Sequence, residues 1–404
     1  MMPVIRIDLT LPFALFSPSL LNQELSVYIH IPFCSSICGY CDFPRVRLEN
    51  ESTIDSYLDA LFVEMSEMGK VFGKFPVSTV YIGGGTPSVL GKKLFKNLIP
   101  VVRDNFSVDR LSEFTVELNP DDIDTELLSG LSDNGVDRIS IGVQTFHNPR
   151  RLGRRHDSAT ALSAIKTIRD SGFTNFNVDL MFGLPDTEGN ELERNLDILT
   201  ELDVPHISVY GLTVSENSLW KKLIDEEKLI IPDENQWIRE YQQVDKKLKS
   251  SGYHHYEISN FSKPGLESIH NMVYWNQKNY LGLGSGAASR IGDLRFSGLF
   301  PPEKYIETVK NENFRLMDII ENIEKVSELE RNEEIIFTGI RLLDGIDFPL
   351  NWFKSHEFES VHSKFVREGL LNFNGKTTSL TEKGLFLSDF IALQLIETLD
   401  TVIN

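Results

Sequence analysis

Cysteine is scarce in this sequence, with three cysteines in 404 residues, and all three lie between Cys34 and Cys41. An odd number of thiols confined to so short a segment argues against a disulfide framework, because these thiols cannot link distant parts of the chain. The spacing of Cys34, Cys38 and Cys41 instead favours three thiolates that converge on one metal centre.

Positive charge is also scarce, since 40 Lys and Arg residues face 59 Asp and Glu residues, for a formal net charge of −19. Nucleic acids and anionic membranes attract basic surfaces, so the composition predicts no nucleic-acid partner.

Long apolar runs are absent too, and no stretch approaches the roughly 20 residues of a membrane span. Residues 1–24 contain one apolar run that Asp8, Pro12 and Pro18 interrupt, without a clear cleavage site. We interpret this segment as an N-terminal arm on a cytoplasmic protein.

A repeated strand–loop–helix pattern covers residues 26–212. Each predicted strand is short, apolar and rich in β-branched or aromatic residues, as buried parallel strands are. The predicted strands are Ser26–Phe33, Ser78–Ile82, Phe114–Leu118, Arg138–Val143, Asn175–Phe182 and His206–Leu212. Amphipathic helical patterns separate them, so six βα units predict a parallel barrel or an open doubly wound sheet.

Pro301 and Pro302 mark a predicted domain boundary. We expect residues 25–298 to form the α/β domain with an extension. Residues 299–404 combine a charged helical stretch with short apolar runs at Gly turns, which predicts a small α/β domain resembling a winged helix.

Chemically unusual residues follow the predicted strands. In parallel β/α barrels the loops after the carboxyl ends of the strands build the active site. In chain order the strands lead to the three cysteines, to Gly83-Gly84-Gly85-Thr86, to Glu117, to Gln144, to Asp179 and to Tyr210. Their recurrence at six strand ends predicts one common site.

The cysteines alone leave three interpretations open. A [4Fe–4S] cluster held by three thiolates keeps one iron open for a chelating ligand. Zinc is the alternative, because His30 lies four residues before Cys34 and would complete a Cys₃His set. Three buried cysteines without a metal are the third interpretation. Glu117 and Asp179 fit the hydroxyl groups of a ribose or an ammonium group, although an Asp after a strand is more often a helix cap.

The string Tyr28-Ile-His-Ile-Pro-Phe-Cys34-x₃-Cys38-x-Tyr40-Cys41 resembles the radical SAM signature. In detail the chain is similar to the oxygen-independent coproporphyrinogen III oxidase family, from residue 25 almost to its end. The resemblance implies a partial (β/α)₆ radical SAM barrel, a [4Fe–4S] cluster on the three cysteines, and S-adenosylmethionine (SAM) chelating the fourth iron. It assigns to SAM the residues Tyr28, Tyr40, Gly84, Gly85, Thr86, Glu117, Gln144, Arg154 and Asp179. It also implies a donor of electrons such as flavodoxin or ferredoxin.

Two features resemble the haem-chaperone (HemW-type) branch of that family. The true oxidases carry a further cysteine two positions after the third, whereas this chain reads Cys41-Asp42-Phe43. The chain also contains the branch's His-Asn-x-x-Tyr-Trp motif, which implies haem binding by His270, Tyr274 and Trp275. One residue departs from the branch, because Ala288 follows Gly-Ser-Gly-Ala where a histidine is usual. We therefore expect a haem chaperone that delivers haem to an acceptor protein, and oxidation of a porphyrinogen, coproporphyrinogen III, is the alternative.

Overall fold

The computed structural model describes residues 24–187, 189–216 and 218–400, so the predicted arm lies outside the described residues except for Glu24. The strands are β1 Leu25–Ile31, β2 Phe33–Cys34, β3 Val46–Arg47, β4 Val77–Gly84, β5 Glu113–Leu118, β6 Arg138–Gln144, β7 Phe176–Phe182, β8 His206–Gly211, β9 His254–Glu257, β10 Asn260–Ser262, β11 Tyr280–Leu283, β12 Ala288–Ile291, β13 Leu294–Gly298, β14 Ile320–Lys325, β15 Ile346–Asp347, β16 Leu371–Phe373 and β17 Thr377–Leu380. The α-helices are α1 Glu51–Phe72, α2 Ile99–Asn105, α3 Thr125–Asp133, α4 Ser158–Asp170, α5 Glu191–Glu201, α6 Leu219–Asp225, α7 Glu234–Ser250, α8 Ile269–Trp275, α9 Pro302–Val309, α10 Glu328–Gly339, α11 His356–Arg367, α12 Glu382–Leu385 and α13 Ser388–Ile396.

The six predicted βα units are confirmed. Strands β1, β4, β5, β6, β7 and β8 are each followed by a helix, from α1 to α6 in chain order. The pairs β1–β4, β4–β5 and β5–β6 are parallel, so the carboxyl ends of these strands lie at the same edge of the sheet.

The inner strands alternate between apolar and polar side chains. In β5, the buried Phe114, Val116 and Leu118 alternate with Glu113, Thr115 and Glu117. Because successive side chains in a strand point to opposite faces, one face is apolar and the other is polar. Strands β1, β4 and β6 repeat the pattern, so the strands predicted as apolar carry polar side chains on one face. The polar face therefore places polar side chains at the edge where the strands end.

The chain forms two compact units, and the division falls within β7. Unit 1 comprises residues up to 177, residues 213–229 and residues 279–324. Its strands run in the order β14-β13-β12-β11-β1-β4-β5-β6. The antiparallel hairpin of β12 and β13 continues the parallel strands beyond β11.

Unit 2 comprises residues 178–212, 230–278 and 325 onward. Its C-terminal part has a three-stranded antiparallel sheet in the order β15-β17-β16 and a hydrophobic core of its own. Trp352, Phe358 and Phe365 are among the most deeply buried side chains of that core. Helices around a small antiparallel sheet agree with the small α/β appendage expected from the sequence. The predicted domain bounds 25–298 and 299–404 stay predictions.

A segment after α10 covers the edge of strand β9 within unit 2. Ile258 N donates to Arg341 O at 3.2 Å, and Leu343 N donates to Tyr256 O at 3.0 Å. Leu342 forms an antiparallel bridge with Glu257. These bonds occupy backbone groups that an edge strand otherwise leaves open. Among the described residues, no helix combines the length and apolar character needed to cross a bilayer.

A buried carboxyl group joins three elements of unit 1. Glu64 on α1 is 2% exposed, and its Oε2 accepts hydrogen bonds from Gly284 N at 2.8 Å and from the hydroxyl of Tyr305 on α9 at 2.6 Å. Burial raises the pKa of Glu64 to about 7, although both hydrogen bonds favour the ionised form. The neighbouring Tyr57 hydroxyl donates to His30 O at 2.7 Å, so the same helix also holds the end of β1.

We expect the Glu64→Gln variant to change the pH dependence of stability. The folded protein binds a proton at Glu64 up to about pH 7, whereas the unfolded chain releases it near the ordinary pKa of 4.5. The stability that this proton contributes is therefore lost as the pH rises to 7. Between pH 5.5 and pH 8, the variant should gain about 2 kcal/mol of unfolding free energy relative to the wild type. Urea unfolding at both pH values measures this difference.

The control is Asp59→Asn, which removes an exposed carboxylate from the same helix. It should leave the difference from the wild type the same at both pH values. A pH-independent difference for Glu64→Gln would contradict a raised pKa at Glu64.

Candidate cofactor site

The cysteine loop begins at the end of β2 and ends at β3. Cys34 and Cys38 are buried and Cys41 is half-buried. The Nη2 of Arg45 donates to the carbonyl oxygens of Cys38, at 3.4 Å, and Cys41. Its Nη1 donates to Phe43 O at 3.3 Å. One guanidinium group therefore holds three carbonyl groups of the loop in a fixed arrangement.

Trp220 on α6 packs against the centre of the loop. Its backbone N–H donates to Gly39 O at 3.1 Å, and its ring meets Tyr40 edge-on with the centroids 5.5 Å apart. A Cβ atom at Gly39 would lie 2.4 Å from Trp220 Nε1, far inside contact distance. Residue 39 must therefore be glycine for the loop and the indole to pack as they do.

Two thiols are linked through neighbouring polar side chains. Thr86 Oγ1 lies 3.6 Å from Cys34 Sγ, and Arg154 Nη1 lies 3.8 Å from Cys38 Sγ. The Asn119 side chain joins the two neighbours, since its Nδ2 lies 3.3 Å from Thr86 Oγ1 and its Oδ1 accepts from Arg154 Nη2 at 2.6 Å. The loops after β2, β4 and β5 and the segment before α4 thus meet at the cysteines.

The glycines after β4 bring backbone against backbone. Gly85 N donates to Ile31 O at 2.8 Å, and a Cβ atom on Gly85 would lie 2.7 Å from Phe33 O. Gly84 has a φ of +113°, and a Cβ atom there would lie 2.6 Å from the His30 ring. Glycine alone fits this close approach beside the cysteine loop.

Glu117 lies against this glycine segment. Its Oε2 accepts from Gly84 N at 3.1 Å, and its Oε1 accepts from the Tyr81 hydroxyl at 2.7 Å. The Tyr28 ring lies 6.1 Å from the Tyr81 ring. Predicted site residues from β1, β4 and β5 are therefore neighbours, as the parallel strands require.

Gln144 ends β6 with a φ of 70°, in the left-handed region that non-glycine residues rarely adopt. Such a conformation costs on the order of 1 kcal/mol and is concentrated at functional sites. A Cβ atom at Gly142 would lie 3.1 Å from Arg154 Nη2 and 3.2 Å from Gln144 Nε2. Both predicted side chains therefore lie over Gly142.

The three thiols influence one another electrostatically. Burial raises the pKa of Cys34, and the hydrogen bond from Thr86 lowers it in part. Negative charge on Cys41 or Cys38 raises it further, so the three sulfur atoms lie close together. Burial also raises the pKa of Cys41. The positive charge of Arg45 opposes both increases, as a site for thiolate ligands requires.

The structure does not support the zinc alternative with His30. Its Nδ1 lies 2.9 Å from the Tyr28 hydroxyl and its Nε2 lies 2.7 Å from Pro44 O, so both ring nitrogens are engaged. Within residues 24–187, 189–216 and 218–400, no three His, Cys, Asp or Glu side chains are arranged to hold a single metal ion. A cluster places each thiolate on a different iron and does not need that arrangement.

Asp179 lies on β7 in unit 2 and is half-buried. Its neighbours Val178 and Leu180 are fully buried on the opposite face of the strand. Asp179 is therefore a polar residue on the polar face, as its prediction as a SAM ligand requires. The other predicted SAM residues belong to unit 1, and the SAM-binding roles of Asp179 and of those residues all stay predictions.

The predicted haem residues lie on α8 in unit 2. His270 is 1% exposed, and its Nε2 lies 2.9 Å from the Tyr274 hydroxyl. Burial lowers the pKa of His270 to about 3, so the imidazole is neutral at physiological pH. Trp275 Nε1 is buried and has no hydrogen-bond acceptor within the described part of the chain. The Arg341 guanidinium lies 5.6 Å from the Trp275 ring centroid.

Comparisons with known proteins agree with this geometry. The family model of the radical SAM superfamily matches residues 28–217. The heme chaperone HemW of Bacillus subtilis (strain 168) is 36% identical over 372 residues, which are 90% of this chain and 97% of that protein. The chain belongs to the HemW family of the radical SAM superfamily. The heme chaperone HemW of Escherichia coli (strain K12) is 33% identical over 384 residues, covering 92% of this chain and 98% of that protein.

A solved structure shows the same fold. The coproporphyrinogen III oxidase (HemN) from Escherichia coli, a radical SAM enzyme, matches with a TM-score of 0.79 and 23% sequence identity. The match covers 93% of this chain and 90% of that chain. The predicted radical SAM fold, with its mostly parallel α/β sheet, is confirmed.

Three residues of the site were not among the predicted ligands. Asn119 directly follows β5, and its position after a strand was the available signal. Arg45 carries no local signal, because a single arginine after a proline is common in loops. Trp220 is distant from the cysteines in sequence, so only the folded chain shows its contact with Gly39.

We expect Gly39→Ala to impair metal loading. The added methyl group would overlap Trp220 and force the loop to shift, at a cost of about 1–3 kcal/mol. Iron and acid-labile sulfide per chain, measured after anaerobic reconstitution, should fall clearly below the wild-type values. Gly189→Ala is the control, because nothing lies within 4 Å of its added Cβ atom. Equal loading of the two variants would contradict the packing constraint at Gly39.

Proposed function

We propose that this protein binds a [4Fe–4S] cluster on Cys34, Cys38 and Cys41, binds SAM beside it, and acts as a haem chaperone that delivers haem to an acceptor protein. The observation that carries the proposal is the cysteine loop held by Arg45 beside the glycine segment and Glu117. The relatives named heme chaperone match this chain over nearly their full length, which supports the same function.

The residues of unit 1 fit both cofactors. Soft thiolate ligands suit iron–sulfur clusters, and three of them leave one iron for the amino and carboxylate groups of SAM. When bound, the cluster supplies one-electron reducing power to SAM. Gly84, Gly85 and Thr86 would receive the amino-acid portion of SAM, because they lie at the end of β4 and the Thr86 hydroxyl is beside Cys34. Glu117 and Arg154 present opposite charges to the polar groups of SAM, and Tyr28, Tyr40 and Gln144 line the site.

Two observations on α8 fit haem. A neutral imidazole is the form that binds haem iron, and burial keeps His270 neutral. The buried N–H of Trp275 is a donor available to an acceptor group on the ligand. Haem would replace the Tyr274 hydroxyl at Nε2 of His270, so we expect haem binding to shift this helix.

We expect the reconstituted protein to bind haem and the His270→Ala variant to bind it at least about tenfold more weakly, because the imidazole that would bind the haem iron is removed. Anaerobic titration with haem, followed by absorbance, measures the affinity. The matched control is His362→Ala, which removes another buried histidine of unit 2 that is bonded to a hydroxyl, that of Thr378. It should bind haem like the wild type.

The oxidase alternative is tested on the same preparation. The protein with an intact cluster is supplied with a reductant, SAM and coproporphyrinogen III, and we expect no protoporphyrinogen. Stoichiometric protoporphyrinogen and 5′-deoxyadenosine would show that the protein is an oxidase and does not need a cysteine two positions after Cys41.

In the haem titration, equal haem affinity in the His270→Ala and His362→Ala variants would exclude His270 as the haem ligand.

A further inference from the structure

Three polar side chains of unit 1 link two of the thiols through one chain of hydrogen bonds. On one side, Asn119 Nδ2 lies 3.3 Å from Thr86 Oγ1, which lies 3.6 Å from Cys34 Sγ. On the other side, Arg154 Nη2 lies 2.6 Å from Asn119 Oδ1, and Arg154 Nη1 lies 3.8 Å from Cys38 Sγ. We call these three side chains the amide relay, because the amide group of Asn119 is its centre.

The direction of each bond in the amide relay follows from the guanidinium group. Arg154 carries donors only, so Asn119 must turn its oxygen atom toward it. The amide nitrogen then faces Thr86 and donates to the hydroxyl oxygen. A hydroxyl group has one hydrogen, and since its oxygen accepts from Asn119, that hydrogen is left for the sulfur of Cys34. One amide group thus directs a donor to each of two sulfur atoms.

The backbone holds Asn119 in place between its two neighbours. Its N–H donates to Ser88 Oγ at 3.2 Å, and Ser88 Oγ donates to Asp122 Oδ2 at 2.7 Å. Ser88 is buried, so water competes little for these bonds. The next residue, Pro120, favours an extended backbone at Asn119, which is the conformation observed, with a φ of −89° and a ψ of 146°.

We propose that Asn119 is a positioning residue that raises the reduction potential of the cluster. The inference rests on the proposed function, because it requires a cluster on the three cysteines. A cluster that gains one electron gains one negative charge, and hydrogen bonds to its sulfur ligands stabilise that charge. Asn119 acts through the donors that it directs to Cys34 and Cys38, whereas Arg45 binds the backbone of the cysteine loop.

The test uses Asn119→Asp, which keeps the shape of the side chain and replaces its donor. A carboxylate only accepts hydrogen bonds, so it keeps Arg154 and draws the hydroxyl hydrogen of Thr86 away from Cys34. Thr86→Val removes that hydroxyl without adding a charge. The charge-matched control is Asn148→Asp, at an exposed position of unit 1. Redox titration of the reconstituted proteins, followed by absorbance and by electron paramagnetic resonance of the reduced cluster, measures the midpoint potential.

We expect Asn119→Asp to lower the ratio of reduced to oxidised cluster about tenfold at a given potential, which corresponds to about 59 mV for one electron. Thr86→Val should lower the ratio by a smaller factor, and Asn148→Asp should match the wild type. In a Thr86→Val background, Asn119→Asp should have a clearly smaller effect, because the hydroxyl that it redirects is gone.

Two results would overturn the proposal. A wild-type potential in Asn119→Asp would show that the amide has no influence on the cluster. Equal effects of Asn119→Asp with and without the Thr86 hydroxyl would show that the added charge acts by itself and that the bonds of the amide relay do not matter.

The outcome stays decisive if Asn119→Asp does not load the cluster. Thr86→Ser, which keeps the hydroxyl, is then compared with Thr86→Val. The proposal requires a wild-type potential in the serine variant and a lower one in the valine variant, and equal potentials in the two would overturn it.

Failure of the proposed function gives a different result. If the wild type holds no iron and sulfide after reconstitution, or lacks the cluster's visible absorbance, the cofactor assignment fails before any titration. A loaded cluster with the same potential in every variant would leave the cofactor assignment standing and remove the role of Asn119.

Discussion

Three thiolates can share one cluster only if the chain between them keeps one shape, and Arg45 provides that constraint here. Its guanidinium group donates to the carbonyl oxygens of Cys38, Cys41 and Phe43. Burial raises the pKa of Cys34 and of Cys41, and the same positive charge opposes that rise. One side chain thus stabilises both the backbone of the loop and the ionised form of its ligands.

The surroundings of the loop follow from the alternation in the strands. Each inner strand places apolar side chains toward the helices and polar ones on the opposite face, where Tyr28, Tyr81 and Glu117 lie side by side. Because the strands are parallel and in register, polar residues distant in sequence reach the same edge. The apolar face stabilises the fold, and the polar face carries the predicted site residues.

Periodicity was enough to predict the six βα units and the strand-end positions of Glu117 and Gln144, whereas the cysteines as cluster ligands stay a prediction from their spacing. These features are local, since each depends on a few consecutive residues. The roles of Trp220 and Glu64 depend on contacts across long stretches of chain, whereas Arg45 contacts its own loop. No local pattern distinguishes any of the three from ordinary surface or helix residues. Glu64 in particular stands among apolar neighbours on α1 and becomes informative only when Gly284 and Tyr305 are seen beside it.

Residues 341–343 pair with the backbone of β9, so the C-terminal part of unit 2 prevents β9 from pairing with strands of other molecules. Removal of the chain after α10 would leave β9 with open N–H and C=O groups that recruit other strands. It would also withdraw Arg341 from the Trp275 ring, which would expose an indole beside that open edge. If such a shortened chain precipitates, the exposed edge of β9 is sufficient to explain the precipitation. Its insolubility is then no evidence on whether the removed part of the protein takes part in haem binding.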